Sequence, residues 1–393
     1  MSAKQATLPS LEPGPRKSGD APRIIEELLA HADVRLNGHR AYDIQVRHPR
    51  MYRRALSAWS LGFGESYMDG DWDCERLDEL FERLLRTDIE SRAVGMARLR
   101  LAAETLRQTL LNLQTPDRAF EVGQRHYDVG NDVFERMLDA RMIYSCAYWE
   151  GARDLAQAQE DKLDLICRKL ELHRGESLLE IGCGWGGLAH FAAERYGVTV
   201  TGLTVSKAQL ALAEQRCAGL PVRLLLQDYR AVQGQFDKVV SVGMFEHVGP
   251  KNHADFFGTV QRVLRPQGLF LLHTIGLDVT SARTDPWIDR YVFPNGKLPS
   301  AVELAQAVEG RFLIEDWHNF GPDYDRTLMC WADNFERAWP DLKSRYTQRF
   351  YRMWRYYLLC CAGFFRSRQG QLWQLVLGGR DRTDAYRSVR LPA

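Results

Sequence analysis

The sequence predicts an α/β protein in which a small helical domain precedes a parallel sheet wound with helices. Three observations carry that reading. Past residue 120, helical patterns alternate with short apolar runs at 177–181, 198–203, 222–226, 237–242 and 268–273, the rhythm of a sheet buried on both faces. The first run ends in Glu180-Ile-Gly-Cys-Gly-Trp-Gly-Gly187, a glycine-rich turn that opens a helix over 188–196 in the Rossmann-like manner. Before residue 110 the periodicity is helical instead, with Ile24, Ile25, Leu28 and Leu29, then Leu77, Leu80, Phe81, Leu84 and Leu85, at three- and four-residue steps.

Taken in order, residues 1–22 are rich in Pro, Ser, Lys and Gly and lack the apolar core of a secretion signal, so a disordered N-terminus is expected. Residues 23–110 are the helical domain, 111–120, with Pro116, the linker, and 121–393 the sheet domain. A chain of 393 residues, 45% hydrophobic, has room for two globular cores. Its most apolar stretch, Tyr356 to Phe365, is too short to span a bilayer and is flanked by Arg355 and Arg366. Eight cysteines show neither metal-ligand spacing nor a small disulfide framework, which points to a reducing cytoplasm and to no bound metal. A net charge of +1 argues against general nucleic-acid binding.

That balance conceals a polarised first domain. Arg40, Arg47, Arg50, Arg53 and Arg54 face only Asp43 in their stretch, and Arg92, Arg98, Arg100 and Arg107 face only Glu104 in theirs. Between them lies an acidic belt of Glu65, Asp69, Asp71, Asp73, Glu75, Asp78, Glu79 and Glu82. One reading is solvated helix faces with local ion pairs. The other is docking on an anionic bilayer surface, for which the basic, amphipathic stretch 94–113 is suited.

The glycine turn locates a cofactor. Gly182, Gly184 and Gly187 let the backbone double back and approach a ligand, and the following helix offers its N-terminal amides to an anionic group. A dinucleotide site wants a carboxylate at the tip of the second strand, yet that tip reads Val198-Thr-Val-Thr-Gly-Leu-Thr204. Glu180 before the turn and Trp185 within it fit S-adenosylmethionine, whose ammonium a carboxylate can face.

Ligands of such folds collect at the carboxyl ends of the strands, and two titratable residues sit there. Glu246 follows the fourth strand in Phe-Glu-His-Val-Gly, and His273 ends the fifth. Together they can orient an ion, shuttle a proton or hold a metal, the metal being disfavoured because no ligand spacing surrounds them. Taken singly, Glu246 is also a helix-capping carboxylate and His273 a satisfied core histidine. Two segments, 142–149 and 317–324, join aromatics to small polar groups, as core packing or as faces that attract a cationic methyl donor. Cys146 has no base marked near it in sequence that would make it a nucleophile.

Five motifs in order give these residues a common frame: Tyr-Ser-Cys-Ala-Tyr-Trp at 144–149, Glu-Ile-Gly-Cys-Gly-Trp-Gly-Gly at 180–187, Gly-Leu-Thr-Val-Ser at 202–206, Phe-Glu-His-Val-Gly at 245–249, and the run 317–324. Together with Gly-Glu-Ser-Tyr-Met-Asp-Gly at 64–70, the chain resembles bacterial cyclopropane-fatty-acyl-phospholipid synthases over its whole length. The resemblance implies a Rossmann-like S-adenosylmethionine-dependent methyltransferase domain that transfers a methylene group to the cis double bond of an acyl chain in a membrane phospholipid. It implies that Tyr144, Ser145, Gly182 and Gly184 hold the methionine end of the donor, with Thr204 and Gln209 near the ribose and Asp228 and Tyr229 beside the adenine. It further implies a bicarbonate ion beside the transferred methyl, held by Glu246, His273, Tyr324 and the backbone at Cys146 and Ile275.

An isolated alkene is a poor nucleophile, so the donor must be a sulfonium aligned with it in a dry site. Methyl transfer leaves a carbocation, which aromatic faces and an anion stabilise while water is kept out. The implied bicarbonate accepts the proton whose loss closes the ring. The resemblance also implies a homodimer. Because the double bond of such a lipid lies about half a leaflet below the headgroups, the helical domain is expected to dock peripherally, through its basic faces and apolar side chains, on the inner face of the cytoplasmic membrane. Three alternatives stay open: a methyltransferase that leaves a methyl branch, a membrane-surface binding protein with a vestigial cofactor fold, and an NAD oxidoreductase, the last weakened by Thr204.

Overall fold

The structure is a computed structural model that describes residues 21–87, 130–281 and 284–390. The expectations for residues 1–20, the basic stretch 94–113 and the linker 111–120 lie outside the described residues. The chain begins with α1 (Arg23–His31), β1 (Gln45–Val46), α2 (Arg50–Met68), β2 (Trp72–Asp73) and α3 (Leu77–Arg86). After α4 (Asn131–Met137) and α5 (Leu155–Lys169) come β3 (Ser177–Ile181), α6 (Gly187–Tyr196), β4 (Thr199–Thr204), α7 (Lys207–Arg216), β5 (Val222–Leu226) and β6 (Phe236–Val242). The remainder is α8 (His253–Val263), β7 (Leu264–Leu277), α9 (Pro286–Tyr291), α10 (Ala301–Val308), β8 (Phe312–Asn319), α11 (Pro322–Leu342), α12 (Gln348–Arg366) and β9 (Gly370–Gly379).

Several helices start where a side chain satisfies a free amide. Asp154 accepts from Gln157 N–H before α5, Ser206 from Gln209 N–H before α7, and Ser300 and Glu303 form a reciprocal capping box before α10.

The seven-stranded sheet has the order β5-β4-β3-β6-β7-β9-β8. All five predicted runs are strands, and β5, β4, β3, β6 and β7 are mutually parallel. The sheet is nonetheless mixed: β9 enters antiparallel between β7 and β8, a correction to a purely parallel reading. The insertion is decided by pairing partners far apart in sequence. In addition β8 is an edge strand with a bulge between Ile314 and Asp316, which breaks its alternation.

Side chains alternate between two buried faces, as the pleat requires. Leu179, Val239, Phe270, Leu272, Leu375 and Leu377 face α8 and α10, while Leu178, Val240, Leu269, Leu271 and Val376 face α5 and α6. Each such fully buried side chain contributes about 1.5–3 kcal/mol of transfer free energy, so register is strongly specified.

Residues 21–87 do not enclose a core of their own. Ile25, Leu29, Tyr67, Trp72, Leu77 and Leu80 join one cluster with Trp331, Trp354, Tyr356, Leu358 and Phe365 of α11 and α12. Arg352 of α12 donates to the carbonyls of Tyr67 and Trp72, and Arg355 donates to Tyr67 Oη at 2.8 Å. The structure also brings the acidic belt onto the arginines. Arg40 binds Asp33 and Asp43, Arg47 binds Asp73, Arg50 binds Asp71, and Arg54 binds Asp69 and Asp71. The ion-pair reading therefore describes these four arginines.

Candidate active site

The turn after β3 forms as a cradle. Gly182 has φ +87° and a Cβ there would lie 2.8 Å from Met244 Cβ, whereas Gly184, at φ +53°, has nothing within 4 Å of a Cβ position. Gly187 opens α6, and a Cβ on it would meet Ile143 Cδ1 at 2.3 Å. The first glycine allows the bend, the second leaves open space, and the third lets the segment that carries Tyr144 and Ser145 cross the helix start.

Around this cradle lie the residues expected to hold a donor. Glu180 on β3 is buried and its Oε2 has no hydrogen-bond partner. Burial pushes its carboxyl up to about 8, while the Lys162 ammonium and the Ala189 N–H pull it back. Ser145 Oγ accepts from Lys162 Nζ at 2.8 Å, and Tyr144 Oη lies 2.6 Å from Tyr357 Oη. Thr204 Oγ1 donates to Gln209 Oε1 at 2.9 Å, so the pair forms one buried unit at the tip of β4. Asp228 accepts the Arg230 N–H at 2.9 Å and caps the short turn 229–231, while Tyr229 Oη is buried without a partner. Trp185 instead belongs to the wall: it is buried against Phe134, and its indole donates to Asn131 Oδ1 at 3.2 Å.

A second group of residues converges at the ends of β6 and β7. Val242 pairs with His273 across the two strands, and the Gly243 N–H donates to the His273 carbonyl, which sets the Glu246 turn over β7. The Ile275 N–H donates to Glu246 Oε1 at 2.7 Å, leaving Oε2 buried without a partner. Ile275 and Tyr324 pack against Cys146, Phe320 and Leu372, and His273 lies edge-on to Phe320 at 5.8 Å. All five residues expected around an anion are thus neighbours, with the Ile275 N–H already engaged by Glu246.

The electrostatics of this corner follow from its burial. Desolvation raises the Glu246 carboxyl to about 7, against the Ile275 N–H, which lowers it. Desolvation also holds the His273 imidazole well below its ordinary value, reinforced by the positive charges of Lys162 and Lys169. Burial keeps the Tyr324 phenol and the Cys146 thiol protonated, and the Cys146 thiol donates to the Ala147 carbonyl, which removes it as a nucleophile. A neutral imidazole and a carboxyl that holds its proton near neutrality can both donate, and His273 Nε2 and Glu246 Oε2, buried without partners, suit a small oxyanion.

Sequence reasoning missed Lys162, Gln159 and Gln374. Gln159 Nε2 donates to the Ser145 carbonyl at 3.0 Å, so with Lys162 it braces the Tyr144–Ser145 segment from α5. A signal was present: Gln159 and Lys162 interrupt the buried stripe of Ala158, Leu163 and Ile166. Gln374 is likewise the lone polar residue within the buried stretch Leu372–Leu377 of β9.

Comparison with known proteins gives this geometry a family. The family model described as mycolic acid cyclopropane synthetase matches residues 114–375. The cyclopropane-fatty-acyl-phospholipid synthase of Escherichia coli strain K12 is 53% identical over 356 residues, 90% of this chain and 92% of that protein. The tuberculostearic acid methyltransferase UfaA1 of Mycobacterium tuberculosis is 32% identical over 91% of this chain and 90% of its own. Among solved structures, the cyclopropane synthase MmaA2 from Mycobacterium tuberculosis superposes with a TM-score of 0.63 at 32% identity, covering 68% of this chain and 99% of that one. The mycolic acid cyclopropane synthase CmaA1 complexed with SAH and CTAB gives 0.62 at 32% identity, covering 66% and 97%. With that match spanning the glycine cradle and the Glu246–His273 corner alike, the chain belongs to the cyclopropane-fatty-acyl-phospholipid synthase family of S-adenosylmethionine-dependent methyltransferases.

Proposed function

We propose that the chain transfers a methylene group from S-adenosylmethionine to the cis double bond of an unsaturated acyl chain in a membrane phospholipid, forming a cyclopropane ring. The observation that carries this reading is the pair of buried, unpartnered atoms Glu246 Oε2 and His273 Nε2 beside Cys146, Ile275 and Tyr324. A bicarbonate ion fits that donor set, and when bound it supplies a base for the proton that leaves the transferred methyl group. Glu246 and His273 position that base. Gly182, Gly184, Tyr144 and Ser145 hold the methionine end of the donor, Thr204 and Gln209 its ribose, and Asp228 and Tyr229 its adenine. Phe320, Leu372 and Trp331 keep water from an electron-poor acyl chain, which water would trap as an alcohol.

The substrate's chemistry supports a peripheral position on the membrane, since no helix among the described residues is long and apolar enough to cross one. Docking falls to the basic stretch 94–113 rather than to the paired arginines, and a homodimer completes this proposal. The test is incubation with unsaturated phospholipid vesicles and S-adenosylmethionine, with and without bicarbonate, followed by lipid mass analysis. A product heavier by one methylene that resists hydrogenation, formed faster with bicarbonate, is expected. The similarity to UfaA1 favours a second reading, a methyl-branched product, which requires a reductant and appears as a different mass.

A further inference from the structure

β9 places Gln374 directly opposite His273 in the antiparallel register of β7 and β9. Gln374 is fully buried, and its Nε2 lies 3.2 Å from His273 Nδ1. An amide nitrogen donates and does not accept, so His273 Nδ1 is the accepting nitrogen of the ring and the proton resides on Nε2. That Nε2 is, with Glu246 Oε2, one of the two buried atoms without a partner in this corner.

We propose that Gln374 is a positioning residue that fixes the His273 tautomer, so that a neutral imidazole presents an N–H, rather than a lone pair, to a small oxyanion. The proposal rests on the anion reading above. A neutral imidazole has one N–H, and the nitrogen that bears it decides whether the ring attracts an anion or repels it. Burial and the neighbouring charges of Lys162 and Lys169 disfavour the doubly protonated ring, which would donate from both nitrogens whatever Gln374 did. A rotated amide would offer Oε1 to Nδ1 and draw the proton there. In the observed orientation Gln374 Oε1 has no partner, so the donor side is the one in use.

The test uses the full chain labelled with 15N-histidine, with the His273 signals assigned by their loss in His273→Asn. In the unliganded wild type, long-range proton–nitrogen spectra are expected to show a protonated Nε2 and a bare Nδ1. In Gln374→Glu the carboxylate accepts from Nδ1, the proton moves there, and half-saturation by bicarbonate rises about tenfold or more through loss of one charge-assisted hydrogen bond, with S-adenosylmethionine affinity unchanged. A wild-type proton on Nδ1 overturns the proposal, as does an unchanged bicarbonate half-saturation in Gln374→Glu whose spectra show the proton moved to Nδ1. If wild-type turnover ignores bicarbonate while Nε2 bears the proton, the anion reading fails and the tautomer assignment stands.

Discussion

Glu246 concentrates the chemistry of the site in one titration. Its carboxyl, raised from 4.5 to about 7 by burial, carries a proton near neutrality and so tolerates a second anion beside it. Above that value both species would be charged, and half-saturation by bicarbonate is expected to rise with pH in steady-state assays. Glu246→Gln removes the titration, so that rise flattens. Turnover should fall about a hundredfold, because an amide cannot take the carboxyl's place in positioning the base, while S-adenosylmethionine affinity stays within about twofold by calorimetry. Equal losses in both would contradict the role. The same shift acts on stability. A folded-state value above the unfolded one gives a contribution fully present below about 4.5 and lost as pH rises through about 7. Melting curves across that window should show the wild type losing more stability than Glu246→Gln. A parallel fall would refute the burial argument.

At the scale of elements, the turn between β3 and α6 lies against the Glu246 turn where Gly182 faces Met244. A methyl group on Gly182 would require φ +87° of a residue with a side chain and would press on Met244, two residues before Glu246. Gly182→Ala is therefore expected to cost about 1–2 kcal/mol of backbone strain, to weaken S-adenosylmethionine binding at least about tenfold, and to lower turnover beyond the binding loss. Gly234→Ala is the control, since Gly234 has φ +94° with open space around it. Its melting point should drop while donor affinity does not, and calorimetry on both variants separates strain from site damage. The helix α5 makes the same point from beneath, because Gln159 and Lys162 tie its buried face to Ser145.

For the molecule as a whole, the decisive feature is the core that residues 21–87 share with α11 and α12. Removing residues 1–87 would uncover Trp354, Tyr356 and Phe365 and strand Arg352, Arg355 and Arg366, whose partners include Tyr67, Trp72 and Asp78. Such a truncation is expected to be insoluble or to lack a cooperative melt, and a soluble, cooperatively melting fragment would show that the shared core is dispensable. Membrane docking is better probed in the full chain. Reversing Arg98, Arg100 and Arg107 to Glu should weaken binding to anionic vesicles at least about tenfold, from about 1 kcal/mol per charge near the surface, with the melting point unchanged. Co-sedimentation equal to the wild type would remove the basic stretch from the docking surface.

The sequence by itself determined the local and periodic features. Short continuous apolar runs specify β3 to β7, and glycines at 182, 184 and 187 specify the cradle, because the backbone there must adopt conformations or approaches that side chains forbid. The placement of Glu246 and His273 at the ends of β6 and β7 was legible too, because both follow directly on apolar strand runs. Only the tertiary structure decided what depends on distant partners. Nothing near Gln374 reveals that β9 lies against β7, nothing near Arg50 or Arg54 reveals that Asp71 closes on both, and no local pattern shows that α12 completes the core of the first helices. Titration belongs to the same class: Glu246 takes its raised value from desolvation by many elements at once, and desolvation is a property of the folded volume rather than of any stretch of chain.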